Sequence, residues 1–127
     1  MLRTVGPILL ISGLLCQFAN GDEIRRKTFV GALLGIWAPA SDGCEKSRVV
    51  ISEAQYSNSD GSNCSVQWIV ETAGVSGTNY AVHASCVDPT QQTKTKTVNL
   101  IIRRQGDGIL IGNTFNELKP YQRCPSQ

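Results

Sequence analysis

The sequence predicts an all-β domain, mainly antiparallel, folded as a small barrel or curled sheet of five to seven short strands. Three observations predict this class. Runs of β-forming residues recur along the 127-residue chain, and turn residues separate them at regular intervals. Four cysteines are spread between positions 44 and 124, which is typical of a small domain stabilised by disulfides. Strands that alternate with long helices would indicate a parallel α/β fold, but the sequence does not show them.

The first residues, MLRTVGPILLISGLLCQFANG, have the pattern of a secretory signal peptide. Arg3 precedes an apolar run from Pro7 to Cys16, and Ala19-Asn20-Gly21 forms a small-x-small cleavage site. The run is shorter than the roughly 18–20 residues of a membrane-spanning helix. We therefore expect a signal peptide over 1–21, a single domain over 22–127, and no stable membrane anchor after cleavage.

Lipid modification of Cys16 is the alternative interpretation of this leader. Bacterial lipoprotein cleavage favours a small residue just before the cysteine, whereas this chain has the bulky Leu15 there. With either interpretation the protein is exported, and we expect it in the periplasm or secreted.

Charge and cysteine usage exclude several functions. The 12 Lys and Arg residues nearly balance the 10 Asp and Glu residues, so we expect no binding to nucleic acid. Cys44, Cys64, Cys86 and Cys124 follow the leader, but none forms a Cys-x-x-Cys pair. The single histidine, His83, also lacks a clustered partner. We predict disulfides, no metal and no cofactor.

The domain is predicted to begin with a short helix or turn. Apolar residues recur at helical spacing in this segment, namely Phe29, Val30, Leu33, Leu34 and Trp37. Gly35 would suit the end of a helix, and a first strand is expected near Trp37.

The next elements are a strand and a turn. SRVVISEAQY (47–56) is rich in β-forming residues, but its apolar positions change parity, which predicts a bulge or bend near Ser52-Glu53. SNSDGSN (57–63) has the composition of a turn.

NCSVQWIVETAGVSGTNYAVHASC (63–86) is predicted to form a hairpin with its turn centred on Val75. In an antiparallel pair the turn position sets every cross-strand partner, and side chains alternate between two faces. The predicted pairs are Cys64 with Cys86, Val66 with Ala84, Trp68 with Val82, and Val70 with Tyr80. These positions form an apolar face, whereas the opposite face is mostly polar. We therefore predict that Trp68 faces the core and that His83 faces water.

The same register predicts the disulfides. Opposed residues of antiparallel strands lie about 4.5–5.5 Å apart at Cα, within the reach of a disulfide between Cys64 and Cys86. By exclusion, Cys44 pairs with Cys124 and links the start of the domain to its end. Four cysteines allow two other connectivities, which stay open at this point.

The C-terminal part is predicted to contain a polar loop and a second hairpin. DPTQQTKTKT (88–97) is expected to be a loop that runs into a strand whose spaced lysines guard an exposed edge. In the second hairpin the turn centres on Gly106-Asp107 or on Asp107-Gly108. Both registers give the same apolar face, made of Val98, Leu100, Ile102, Ile109, Ile111 and Phe115.

No catalytic constellation is recognisable in the sequence. Nucleophilic catalysis needs an activated nucleophile beside a base, and His83 is predicted on a hydrated face. Glu53, Glu71 and Asp88 fall on separate segments, with nothing to align them as paired carboxylates. GDGILIG (106–112) lacks the lysine of a phosphate-binding loop. We predict that the protein is not an enzyme and has no catalytic residues, and we assign the tryptophans to the core.

The layout of GIWAPASDGC (35–44), Cys64, Cys86 and YQRC (121–124) resembles small exported four-cysteine proteins of unknown function from alphaproteobacteria. This resemblance implies a bacterial periplasmic or secreted setting but no activity. The Gly-x-Trp start with a nearby cysteine is also similar to bacterial lipocalin-like inhibitors of secreted metalloproteases. Their inhibitory segment is an N-terminal tail, which has no clear match in the charged residues 22–27, so no inhibitory residue is carried over.

These observations predict an exported, non-enzymatic β-domain that binds a protein or a small apolar ligand. An inhibitor of a protease or lysozyme is the second hypothesis, and it predicts a mobile N-terminus or an exposed loop. A small hydrolase using His83 is the third, and it requires a cavity that reaches the histidine. The sequence does not name the partner or ligand.

Overall fold

The computed structural model describes residues 23–125, and within them the chain forms nine strands and two short 3₁₀ turns. The predicted signal peptide and Cys16 lie outside these residues. The strands are β1 (Ile24–Arg26), β2 (Gly35–Pro39), β3 (Val49–Ile51), β4 (Gln55–Asn58), β5 (Asn63–Thr72), β6 (Asn79–Asp88), β7 (Gln91–Gln105), β8 (Gly108–Gly112) and β9 (Lys119–Arg123). The 3₁₀ turns are Gly31–Leu33 and Phe115–Glu117. No helix in this part of the chain is long and apolar enough to span a membrane.

Strands β2 to β9 form a closed, eight-stranded antiparallel barrel. Each strand pairs with its neighbour in the chain, and β9 closes the ring by pairing with β2. Strand β1 lies outside the ring and pairs with β5. The prediction of an all-β antiparallel barrel is confirmed, but the described residues form nine strands rather than five to seven. Three of them, with 10, 10 and 15 residues, are long.

The core follows the alternation of side chains along the strands. Buried positions alternate with more exposed ones in β6 and β8. The inward face of the second hairpin carries four of the predicted core residues: Leu100, Ile102, Ile109 and Ile111. Phe115, which was predicted to join them, is 55% exposed. It lies in the second 3₁₀ turn beyond the end of β8, where strand alternation no longer applies.

The predicted N-terminal helix is a single 3₁₀ turn. Phe29, Leu33 and Trp37 are all buried, as helical spacing would require, but the backbone is extended at Val30 and at Leu34 on either side of the turn. Gly35 does not end a helix, because it begins β2 with a φ of 134°. The sequence predicted a short helix or turn leading into a strand near Trp37, and the structure shows the turn.

The change of apolar parity in residues 47–56 marks a bend near Ser52-Glu53, one of the two predicted alternatives, and this bend is the turn of a hairpin. Val49 and Ile51 face the core from β3, and Tyr56 faces it from β4. The chain reverses between the two strands, where the Ser52 N–H donates to the Gln55 carbonyl oxygen at 2.9 Å. The predicted turn in residues 57–63 connects β4 to β5.

The β5–β6 hairpin has the predicted register only up to Val66. Cys64 pairs with Cys86 and Val66 with Ala84, but a bulge follows between Val66 and Trp68. The extra residue shifts every later pair by one, so that Trp68 opposes His83 instead of Val82. Trp68 consequently points outward and is 41% exposed. The prediction that it faces the core is wrong.

The same bulge moves another residue inward. Ile69, an apolar exception on the predicted polar face, is fully buried and pairs with Val82. Tyr80 stays in the core, but its partner is Glu71 instead of Val70. One inserted residue thus preserves an apolar interior along the whole strand.

The predicted polar loop at 88–97 is mostly strand. Only Pro89 and Thr90 separate β6 from β7, and β7 begins at Gln91. The alternating threonines and lysines favour an extended strand with an exposed polar face. In the next hairpin Gln105 pairs with Gly108, so the turn centres on Gly106-Asp107. Gly106 has a φ of 58°, which favours glycine.

Two disulfides connect the four cysteines of the described chain. Cys64–Cys86 joins β5 to β6 on the inner face of the barrel, with a Cα–Cα distance of 4.0 Å. Cys44–Cys124 joins the loop after β2 to the end of β9, across 80 residues of sequence. Both pairs are the predicted ones, and they are consistent with an oxidising environment.

Candidate functional site

Because neighbouring strands are antiparallel, the loops between successive strands alternate between the two ends of the barrel. The β3–β4, β5–β6 and β7–β8 connections lie at one end, together with residues 29–34, which we call the plug. The β2–β3, β4–β5, β6–β7 and β8–β9 connections surround the opposite end, which we call the mouth. The Phe29 N–H of the plug donates to the carbonyl oxygen of Glu53 in the β3–β4 turn at 2.8 Å. The plug is therefore hydrogen-bonded to the end of the barrel that carries the β3–β4 turn.

Arg123 fastens the plug to the last strand. Its guanidinium lies 4.3 Å from the centre of the Trp37 ring and donates to the carbonyl oxygens of Leu34 at 2.7 Å and Ala32 at 2.8 Å. Gly35 makes room for this contact, since a Cβ atom there would lie 2.6 Å from Nη1 of Arg123. The Trp37 indole N–H donates to Leu33 at 2.9 Å. This end of the barrel is closed.

The mouth opens into a cavity of about 900 Å³. Its wall is of mixed character: the Cys64–Cys86 disulfide and apolar side chains share it with nine polar or charged residues, namely Asn58, Asp60, Ser62, Asp88, Lys96, Asn113, Asn116, Glu117 and Lys119. The other apolar and aromatic side chains of the wall are Val49, Tyr56, Val87, Pro89, Val98, Leu100, Ile111, Leu118 and Tyr121. Cavities of about 300–1,000 Å³ with apolar walls and a few polar groups are typical of small-molecule sites. The barrel is therefore open at one end, and the volume of its cavity is within the range of small-molecule sites.

Charged residues surround the mouth without a dominant sign. Three acidic and two basic residues line this part of the cavity: Asp60, Asp88, Glu117, Lys96 and Lys119. Opposite charges so evenly mixed do not create a strong field for a highly charged ligand. The rim therefore carries little net charge.

Two turns of the mouth are held by the same hydrogen-bond pattern. Asp60 accepts from the Ser62 hydroxyl at 2.6 Å and N–H at 2.9 Å. Asp88 accepts from the Thr90 N–H at 2.8 Å and hydroxyl at 2.7 Å. The hydrogen bonds lower the pKa of both carboxyl groups, with the Ser62 hydroxyl the largest cause at Asp60 and the Thr90 N–H at Asp88. Both turns thus carry ionised, locally bonded carboxylates at neutral pH.

Tyr56 is the aromatic side chain most deeply set in the cavity wall. Only 4% of its surface is exposed, and its hydroxyl lies 3.8 Å from the Cys86 sulfur. Burial raises the pKa of Tyr56 to about 12. The hydroxyl therefore remains protonated at neutral pH and can donate a hydrogen bond.

His83 lies on the outer surface of the barrel. Its ring stacks on Trp68 with a centroid distance of 3.9 Å, and Nδ1 lies 2.8 Å from Oδ1 of Asn99. The neighbouring residues Val82 and Ala84 face the core, so the sheet separates His83 from the cavity. The hydrolase hypothesis required a cavity that reaches this histidine, and the mouth cavity does not.

The acidic residues considered as paired carboxylates lie in different parts of the fold. Glu71 accepts a hydrogen bond from Nε of Arg26 at 2.9 Å and forms a salt bridge with it, which fastens β1 to β5. Glu53 lies in the β3–β4 turn at the closed end, whereas Asp88 is at the mouth. Within residues 23–125 no group of three or more His, Cys, Asp or Glu residues could hold a metal ion.

The sequence predicted many of the residues that line the cavity but not the cavity itself. Val98, Leu100 and Ile111 were predicted to share one apolar face, and they do. Alternation of side chains gives the same pattern for a packed interior and for an apolar cavity wall. The mixed charges at the turns were the only signal for the mouth, and turn composition alone explains them equally well.

Comparison of the chain with protein-family models, with curated proteins and with solved structures finds no match. The resemblances drawn from the cysteine and tryptophan layout therefore stay predictions. The geometry of the barrel carries the functional argument.

Proposed function

We propose that this protein is an exported, non-enzymatic binding protein that holds a small, mainly apolar ligand in the mouth cavity. The observation that carries the proposal is the cavity of about 900 Å³ at the open end of a barrel whose other end is closed by the plug. A concavity of this size, partly lined by apolar side chains, is within the range of known small-molecule sites.

The wall chemistry supports an apolar ligand. Leu100 and Ile111 are core residues that also line the cavity, so a ligand would cover the small part of their apolar surface that contacts water. Burial of such surface contributes roughly 25 cal/mol per Å². The balanced charges of the rim favour a ligand without strong net charge.

The scaffold supports binding by a preformed site. The Cys64–Cys86 disulfide lies in the cavity wall, and Cys44–Cys124 ties the last strand to the loop after β2. A rigid site loses less conformational entropy when it binds. Disulfides of this kind persist in the periplasm or outside the cell, which is where we place the protein.

An inhibitor of a protease or lysozyme is the alternative, and it has less support. The inhibitor hypothesis predicted a mobile N-terminus or an exposed loop. At the start of the described residues, Ile24–Arg26 pairs with β5, and Arg26 bonds to Glu71. A segment held on the barrel in this way is not free to enter a cleft, and we favour the small ligand.

Equilibrium dialysis with 2-ethylnaphthalene, a neutral apolar probe, tests the proposal. Val98→Trp would place an indole in the cavity and is expected to lower the affinity for the probe at least about tenfold, because it fills the space the probe needs. Thr97→Trp is the matched control, since Thr97 is the exposed neighbour on the outer face of the same strand. It should bind like the original protein. Equal binding by both variants, or no binding by the original protein, would refute the proposed function.

A further inference from the structure

The Tyr56 hydroxyl has a weak partner for a group so deeply buried. Its contact is the Cys86 sulfur at 3.8 Å. Because Cys86 is bonded to Cys64, it has no S–H to give, and the tyrosine must be the donor. Sulfur is a poor hydrogen-bond acceptor, whereas buried tyrosine hydroxyls usually find a strong one.

The Trp37 indole at the closed end shows the usual arrangement. Its N–H donates to the Leu33 carbonyl oxygen at 2.9 Å, a strong bond of ordinary length. Tyr56 differs in that its side chain lines the cavity. A ligand atom in the cavity can therefore supply the acceptor that the barrel wall does not.

We propose that the Tyr56 hydroxyl is the polar anchor of the cavity, and that it selects apolar ligands with a neutral hydrogen-bond acceptor, such as a carbonyl oxygen, at the end that reaches the disulfide. This inference rests on the proposed ligand-binding function. The cavity wall also includes the apolar side chains of Val49, Leu100 and Ile111, which would contact the hydrocarbon part of the ligand. The raised pKa of Tyr56 keeps its proton in place for donation.

Two probes of nearly identical shape isolate the hydrogen bond. 2-Acetylnaphthalene carries a carbonyl where 2-ethylnaphthalene carries a methylene group, and both can be titrated by equilibrium dialysis. The original protein is expected to bind the acetyl compound about fivefold to tenfold more tightly, the effect of one hydrogen bond made in place of a poor one. Tyr56→Phe should remove this preference while it retains the affinity for the ethyl compound.

Tyr80→Phe is the control, because Tyr80 is also a buried tyrosine but is not among the residues that line the cavity. It should keep the preference for the acetyl compound. Equal affinities of the original protein for the two probes would overturn the assignment of an anchor while leaving the cavity as a binding site. A preference that survives Tyr56→Phe or is lost in Tyr80→Phe would overturn the choice of Tyr56. Binding of neither probe would overturn this inference together with the proposed function. The comparison in the original protein decides the matter even if Tyr56→Phe fails to fold.

Discussion

Replacing Arg123 by alanine should destabilise the protein by opening the closed end of the barrel. The substitution removes the hydrogen bonds to Leu34 and Ala32 and the contact with the Trp37 ring. A hydrogen bond to a charged group contributes roughly 1.5–3 kcal/mol and an exposed cation–π contact about 0.5–1 kcal/mol. Arg123 is exposed, so solvent weakens these interactions, and we expect the free energy of unfolding to fall by about 2–3 kcal/mol.

Thermal unfolding followed by circular dichroism measures this change. For a domain of this size the loss corresponds to a decrease in melting temperature on the order of 10 °C. Arg123→Lys should recover only part of it, because an ammonium group cannot reproduce the two-pronged contact of the guanidinium. Arg25→Ala, at an exposed position of β1, should change the melting temperature little. If Arg123→Ala has the same melting temperature as the original protein, this residue does not hold the plug and the reasoning is refuted.

Two further predictions concern the cavity wall and the tyrosines. The double variant Cys64→Ala/Cys86→Ala should lose about 3 kcal/mol of stability, because the bond closes a loop with a sequence separation of 22 residues; an unchanged denaturation midpoint would contradict this. Burial raises the pKa of Tyr56, Tyr80 and Tyr121 above the ordinary value of 10.0. In the unfolded chain they ionise near pH 10, so the free energy of unfolding should be unaffected by the tyrosines below that pH and should fall as the pH rises through and above it. Spectrophotometric titration should find fewer than half of the tyrosines ionised in the folded protein at pH 10, and half-ionised tyrosines at that pH would argue against the packing.

The β5–β6 hairpin shows how much of the strand pairing could be predicted from the sequence. A turn at Val75 paired Cys64 with Cys86 because one register both opposed the cysteines and sorted apolar from polar residues. That argument assumed regular alternation over the whole strand. A bulge between Val66 and Trp68 breaks the alternation, and nothing in the local composition requires it. Tertiary packing decides it, because the bulge turns Ile69 into the core and leaves Trp68 outside.

The cavity could not be predicted from the sequence for a related reason. Leu100 and Ile111 have the pattern of core residues whether the space between them is filled or open. Only closure of the ring by β9 on β2 sets the diameter of the barrel, and that pairing joins the two ends of the described barrel. Long-range closure is not encoded in a local pattern, whereas the strands and turns it connects are.

The central claim, that the mouth cavity binds a small apolar ligand, is tested most directly by methyl NMR of the labelled protein titrated with 2-ethylnaphthalene. The claim predicts shifts concentrated on the cavity methyl groups of Val49, Val98, Leu100 and Ile111, while the methyl groups of Leu33 at the closed end and of the exposed Val75 at the β5–β6 turn stay unchanged. No shifts at saturating probe, or shifts confined to residues outside the cavity, would contradict it.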